Sequence, residues 1–294
     1  MTIFNFGSIN VDHFYALPHL PRPGETLGAT QYSIGLGGKG LNQSVAVARA
    51  GCQVHHIGAI GASDTWVREK IEYHGVNCQY VASLDVQTGH AIILVDSVGE
   101  NSIVLYEGAN TKIDHSQMKA ALSTAKMGDI LLVQNETNMV VEAAQYAHNL
   151  GLRVFYSAAP FDVKNVKEIL PFVSVLLVNE VEADQLCAAL GSKIEEIPVP
   201  EILVTMGSKG ALLRSNQTGE VIEVSSPKVV AVDTTAAGDT FAGYFAAGCD
   251  LGLPKQQSLV WAASAAALKV TKRGTAEAIP TADAVTHFQN GSTQ

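Results

Sequence analysis

The sequence predicts an α/β protein with a mostly parallel central sheet and a small antiparallel β lid. Two observations predict the class. Short, nearly continuous apolar runs alternate with longer Ala-rich amphipathic stretches, the pattern of strands covered on both faces and their crossover helices. Two segments, about 13–36 and 88–108, break that alternation and are read as the lid. The whole chain, 1–294, is expected to form a single domain.

Taken in order, Ile3–Gly7 is the first predicted strand, followed by an extended segment from about His13 to Ile34. Pro18, Pro21 and Pro23 keep helix out of that segment. A helix is predicted over Leu41–Ala50, a strand over Val54–Ile60 and a helix over Asp64–His74. Gly89–Tyr106 reads as a hairpin, Ala91–Asp96 and Ser102–Tyr106 around a Val98-Gly99-Glu100-Asn101 turn. Both arms are apolar at successive positions, so both faces want cover: either a lid pairing with another subunit or an edge of the main sheet. Further helices are predicted at Ser116–Ala125, Met139–Asn149, Glu180–Leu190, Thr240–Gly248 and Lys255–Val270, and strands at Ile130–Gln134, Arg153–Tyr156, Val173–Val178 and Ile202–Met206. Ligands of such sheets sit beyond the carboxyl ends of the strands.

Composition narrows the function. With 47% hydrophobic residues and no low-complexity tract, disorder is excluded. No apolar stretch approaches the roughly 20 residues of a membrane span, so no membrane partner is expected. A net charge of -9 argues against nucleic acid, whose affinity comes mostly from phosphate neutralisation. It leaves room for a small anion, which backbone amides at a helix start bind without net positive charge. The N-terminus shows no basic region or cleavage site, so a cytoplasmic protein is expected. Cys52, Cys78, Cys187 and Cys249 show no paired spacing and read as buried thiols. His55 and His56, adjacent in a strand, point to opposite faces and cannot share a metal.

Two stretches carry chemistry. Gly35-Leu36-Gly37-Gly38-Lys39-Gly40 formally contains the dinucleotide fingerprint, but that motif needs a tight strand-to-helix turn, and the preceding predicted strand ends near Gly7. It reads equally as a plain structural loop or as backbone brought close to a ligand, with Lys39 and Asn42 offering donors. Asp233-Thr234-Thr235-Ala236-Ala237-Gly238-Asp239-Thr240-Phe241 opens an Ala-rich helix. A carboxylate there is commonly a cap or dipole partner. Small residues before it, and a second carboxylate upstream, suit instead an anion hole with an adjacent base, the parts phosphoryl transfer needs.

These two stretches resemble the signatures of the ribokinase-like (PfkB) carbohydrate kinases, and the resemblance implies that family's fold, a ribokinase-like three-layer sandwich. Gly7-Ser8-Ile9-Asn10-Val11-Asp12, Pro23-Gly24-Glu25-Thr26, Asn179-Glu180-Val181-Glu182 and Thr205-Met206-Gly207-Ser208-Lys209-Gly210 match the family in the same order, over nearly the whole chain. The resemblance implies transfer of the γ-phosphoryl group of ATP to a primary hydroxyl of a sugar, D-ribose first, with a nucleoside or another furanose, or a sugar-binding protein without turnover, as alternatives. It implies that Asn10, Asp12, Gly38, Lys39, Asn42 and Glu136 bind the sugar, that Asp239 is the base, and that the Ala236-Ala237-Gly238-Asp239 turn forms the anion hole. Asn179 and Glu182 would face the phosphates and magnesium-bound water, and Thr205, Gly207, Ser208 and Gly210 the nucleotide. It further implies a potassium ion held by Asp233, the Thr235 carbonyl and the run carrying Lys269, Lys272 and Gly274; on its residues alone that run reads equally as a capped helix end. A homodimer through the lid is expected. Ser157-Ala158-Ala159-Pro160 stands where the family usually has Asn-Pro-Ala-Pro, and the segment Gly191–Glu201 is short.

Overall fold

A computed structural model describes residues 1–291. Strand β1 (Ile3–Phe6) is buried along its whole length in the interior of a nine-stranded sheet. Its parallel neighbours are β4 (Val54–Gly61) and β8 (Ile130–Gln134). Beyond β4 lies β5 (Asn77–Leu84); beyond β8 lie β9 (Arg153–Ser157), β10 (Val175–Asn179) and β11 (Glu201–Thr205), all parallel. An antiparallel hairpin of β12 (Ala211–Ser215) and β13 (Val221–Val224) completes that edge. The chain leaves β1 toward one edge and returns at β8 toward the other. The carboxyl ends of β1 and β8 therefore flank the crevice where ligands of such sheets bind.

Two apolar cores cover the faces. On one, α1 (Lys39–Arg49), α2 (Thr65–Tyr73), α7 (Ala237–Asp250), α8 (Lys255–Lys269) and α9 (Ala282–Gly291) bury Val45, Ile71, Phe245, Leu259 and Val285. On the other, α3 (His115–Leu122), α4 (Val140–Asn149), α5 (Val163–Ile169) and α6 (Glu180–Leu190) bury Met118, Ala143, Val166 and Leu186. Side-chain caps fix several starts: Asp114 accepts from Ser116 N–H, and Asp162 from Asn165 N–H. Among the described residues no helix is long and apolar enough to cross a membrane.

The interrupting segments form a second sheet, in the order β3 (Gln31–Gly37), β2 (Asn10–Ala16), β6 (Gly89–Val95) and β7 (Asn101–Tyr106). The outer pairs are antiparallel, as expected, while the central pair β2/β6 is parallel. The hairpin is thus not an edge of the main sheet. Nor does the glycine stretch lack a preceding strand: β3 runs directly into α1 through Gly38, whose φ of 91° makes the corner. Its Gln-Tyr-Ser-Ile start is exposed and shows no apolar alternation, which hid the strand. Because β3 pairs antiparallel with β2, the turn is not a βαβ dinucleotide unit. The cysteines also depart from expectation: Cys78 and Cys249 are buried, but Cys52 and Cys187 are only half-buried, Cys187 because α6 buries little besides Leu186. His55 and His56 do face opposite ways. His55 stacks on Phe4, while His56 bonds Ser44 Oγ at 2.8 Å and the Gly7 carbonyl at 3.1 Å, burial pulling its pKa down to about 4.

Candidate active site

Two cavities open beside the carboxyl ends of the strands. The first, of about 530 Å³, is lined by Asn10, Asn110, Asn135 and Glu136 together with Leu105 and Tyr106 of β7. The second, of about 340 Å³, is lined by Lys39, Ser157, Asn179, Glu182, Thr205, Gly207 and the Ala236–Asp239 turn. They meet at one contact, where the Lys39 backbone N–H donates to Glu136 Oε2 at 2.9 Å. Ser8 Oγ donates to the same oxygen. Burial lifts the Glu136 carboxyl above the usual carboxylate range, with Lys39 and Ser8 opposing it.

Asn10 and Asp12 lie two residues apart on β2 and share a face. Asn10 Oδ1 accepts from Asn110 Nδ2 at 2.8 Å, and Asn110 also clamps both backbone groups of Ile9. Asp12 lies against Gly37, where an added Cβ would fall 2.1 Å from its Oδ2, and Thr275 Oγ1 donates to that oxygen at 3.4 Å. Burial pushes the Asp12 carboxyl up to about 7 despite the Thr275 hydroxyl.

Asp239 stands in the first turn of α7, almost wholly buried. Its Oδ2 accepts from Asn42 Nδ2 at 3.2 Å and its Oδ1 from Gln43 Nε2 at 3.3 Å, so the start of α1 aims the carboxylate. Asn42 Oδ1 is buried with no hydrogen-bond partner among the described residues, an acceptor held ready for a ligand donor. Asp239 foremost, with Glu136 and Glu182, raises the Lys39 ammonium against the opposing effect of burial. Ahead of the helix, Ala236 adopts the left-handed conformation (φ 58°), unusual for a residue with a Cβ and a form of strain that collects at functional sites. The turn leaves the N–H groups of Gly238 and Asp239 without acceptors among the described residues; that of Ala237 donates to the Thr234 carbonyl at 3.2 Å. Of the three amides expected to face an anion, those of Gly238 and Asp239 are thus open at the start of α7, where the helix dipole favours negative charge, and that of Ala237 is already bonded.

Of the expected nucleotide residues, Asn179, Glu182, Thr205 and Gly207 share the second cavity; Ser208 and Gly210 do not line it. Gly210 is fixed by a close approach, since a Cβ there would fall 1.9 Å from the Val224 carbonyl oxygen. Asn179 and Glu182 also cap α6 reciprocally, Glu182 N–H donating to Asn179 Oδ1 at 2.8 Å and Asn179 N–H to Glu182 Oε2 at 2.9 Å. That leaves Glu182 Oε1 for a ligand. The segments expected to hold potassium are tied together by the chain's own hydrogen bonds. Asp233 Oδ1 accepts from Thr235 N–H and Oδ2 from Gly274 N–H, both at 2.9 Å, and Lys269 Nζ donates to the Asp233 carbonyl at 3.1 Å. Lys272 N–H takes the Lys269 carbonyl at 3.0 Å. Sequence reasoning gave Ser8, Gln43, Asn110 and Thr275 no part in these contacts; the available signals were the place of Ser8 inside the Gly7–Asp12 motif and that of Gln43 beside Asn42.

Known proteins bear on this geometry. The model of the pfkB family carbohydrate kinases matches residues 2–282. A ribokinase of Schizosaccharomyces pombe is 35% identical, with 95% of each chain covered. Among solved structures, a Cryptococcus neoformans ribokinase in complex with ADP is 35% identical, with a TM-score of 0.85 and 97% and 98% of the two chains covered. Arabidopsis thaliana ribokinase complexed with ribose and ATP is 29% identical, with a TM-score of 0.84 and 97% of each chain covered.

Proposed function

The chain belongs to the pfkB family of carbohydrate kinases, and from that premise we propose that it transfers the γ-phosphoryl group of ATP to the primary hydroxyl of D-ribose. The relatives' names and their ribose, ATP and ADP complexes support both substrates. The observation that carries the reading on this chain is the position of Asp239: a buried carboxylate, oriented by Asn42 and Gln43, beside two open amides at the mouth of α7.

Ribose takes the first cavity, lined by Asn10 and Glu136; Asp12, two residues along β2 from Asn10, and Asn42, bonded to Asp239, line neither cavity but add to the polar groups that a polyol needs. The nucleotide takes the second, along Asn179, Thr205 and Gly207, with its phosphates toward Lys39. Asp239 accepts the proton of the primary hydroxyl as its oxygen bonds to the γ-phosphorus and the bond to the β-phosphate oxygen breaks. The Gly238 and Asp239 amides and the α7 dipole hold the charge on the transferred group, and Lys39 balances it.

Magnesium fits the second cavity through Glu182 Oε1, a hard oxygen of the kind that holds a hydrated ion. Bound with the nucleotide, it neutralises phosphate charge. Self-association through the small sheet completes the reading. Ile103, Val104, Leu105 and Tyr106 of the edge strand β7 are each at least half exposed, an apolar edge of a kind that natural sheets cover. The test is ADP release with ATP and magnesium against ribose, deoxyribose, fructose, nucleosides and no sugar. Ribose-dependent release is expected; release on a nucleoside alone overturns the sugar, and silence across the panel overturns the kinase.

A further inference from the structure

Lys269 ends α8 and is completely buried, its side chain among the largest fully enclosed in the protein. Lysines are almost never buried so fully unless their charge is paired. Its Nζ donates to the Asp233 carbonyl at 3.1 Å and lies 4.0 Å from Asp233 Oδ1. Around this contact two stretches of chain are bound together. Val232 and Asp233 N–H both donate to the Val270 carbonyl, at 2.7 and 3.1 Å, and Gly274 N–H to Asp233 Oδ2. The first stretch leads within three residues into Ala236, the strained corner that opens the anion hole.

This arrangement does not fit the potassium ion that the family resemblance implies. A cation bound to the Asp233 carboxylate would share it with an ammonium 4.0 Å away, and like charges on one carboxylate repel. Both carboxylate oxygens and the Lys269 carbonyl, three of the expected ligands, already accept backbone N–H groups. Burial works to raise the Asp233 carboxyl, but hydrogen bonds from Thr235 and Gly274 and the nearby Lys269 hold it below the usual carboxylate range, in the charged form that such a pair requires. Burial draws the Lys269 ammonium downward, and Asp233 and then Asp239 counter it.

We propose that the Lys269 ammonium supplies from within the chain the positive charge that the Asp233–Ala236 turn requires, so that the enzyme works without potassium. Lys269 is a positioning residue: it touches neither substrate and acts by holding the turn that presents the Gly238 and Asp239 amides. For its activity arm the proposal rests on the kinase reading above.

The experiment compares the wild-type protein and Lys269→Ala in potassium and in choline salts at equal ionic strength, by turnover and by thermal unfolding. The wild type is expected to show the same turnover and the same Tm in both. In Lys269→Ala the vacated space and the unpaired Asp233 become a cation site, so Tm rises with potassium or ammonium, and turnover lost in choline returns with either. Stimulation of the wild type by potassium of at least about fivefold overturns the proposal, as does a Lys269→Ala enzyme fully active in choline. If Lys269→Ala fails to fold, the wild-type comparison still decides, joined by Lys269→Arg, which should keep indifference to potassium. Rubidium diffraction from wild-type crystals needs no turnover: a rubidium ion on Asp233 overturns the proposal even if no sugar is phosphorylated. Silence on every sugar with no cation effect on Tm sinks the kinase reading alone.

Discussion

Gly7, at the end of the first strand, and Gly40, in the first turn of α1, pack backbone against backbone. A Cβ on either would fall 2.5 Å from main-chain atoms of the other. The contact brings Ser8 beside Glu136 and sets the height at which Lys39 meets Glu136 and Asn42 and Gln43 meet Asp239. No side chain can yield there, so Gly40→Ala must push α1 outward. It is expected to cost about 1–3 kcal/mol of stability and to weaken ribose binding, read by denaturant titration and calorimetry. A variant with wild-type stability and affinity would show the approach to be relaxed at no cost.

Asp239→Asn keeps the size and one acceptor for Asn42 and Gln43 but removes the proton acceptor. We expect kcat to fall by a factor of about 100 to 10,000 while calorimetric ribose binding persists. Turnover within a few-fold of wild type would remove Asp239 from the proton-transfer step.

The buried Asp12 carboxyl gives a pH signature. Its folded pKa of about 7 lies above the ordinary 3.8, so charging it costs fold stability; the cost grows as pH rises from 3.8 to about 7 and is complete above that. Ribose hydroxyls that donate to the carboxylate relieve part of the cost. The rise in Tm on adding ribose should therefore be larger at about pH 8 than at about pH 6, with proton release on binding between them. An equal shift at both would show that the sugar does not engage a charged Asp12.

The exposed edge strand gives a test of assembly. Val104, 62% exposed and outside both cavities, can be charged without touching either substrate. Val104→Asp should weaken self-association by at least about tenfold, or 1.4 kcal/mol, in sedimentation, with the folded Tm of the isolated subunit little changed. A wild-type protein that sediments as a monomer at every concentration would dispose of the dimer.

The sequence shows the interior of this fold far better than its margins. Strands such as β8, with every residue buried, announce themselves by an unbroken apolar run. β5, at one edge, mixes buried and exposed positions, and the β12/β13 hairpin at the other edge is short and half-covered, so neither carried a pattern to read. The seven residues of α5 are too few to establish a helical period. In the site, Asp239, Lys39 and Asn42 were legible because each sits within a motif. Thr275 was not: it meets Asp12 across 263 positions of chain, a proximity that only the folded sheets create. The potassium expectation came from the family resemblance of Asp233, Thr235 and the run from Lys269 to Gly274, and nothing in that run told which lysine would turn inward.

Strand β2 begins at Asn10 in the first cavity and ends at Ala16, about 20 Å away on the outer sheet, without a break. Only Gly7, Ser8 and Ile9 separate it from the main sheet. It is therefore a lever whose short arm carries Asn10 and Asp12. A tilt of the rim carried through this strand would move those two groups with it. A molecule that clamps or splays the outer end is expected to shift Asn10 and Asp12 from outside, without entering the cavity.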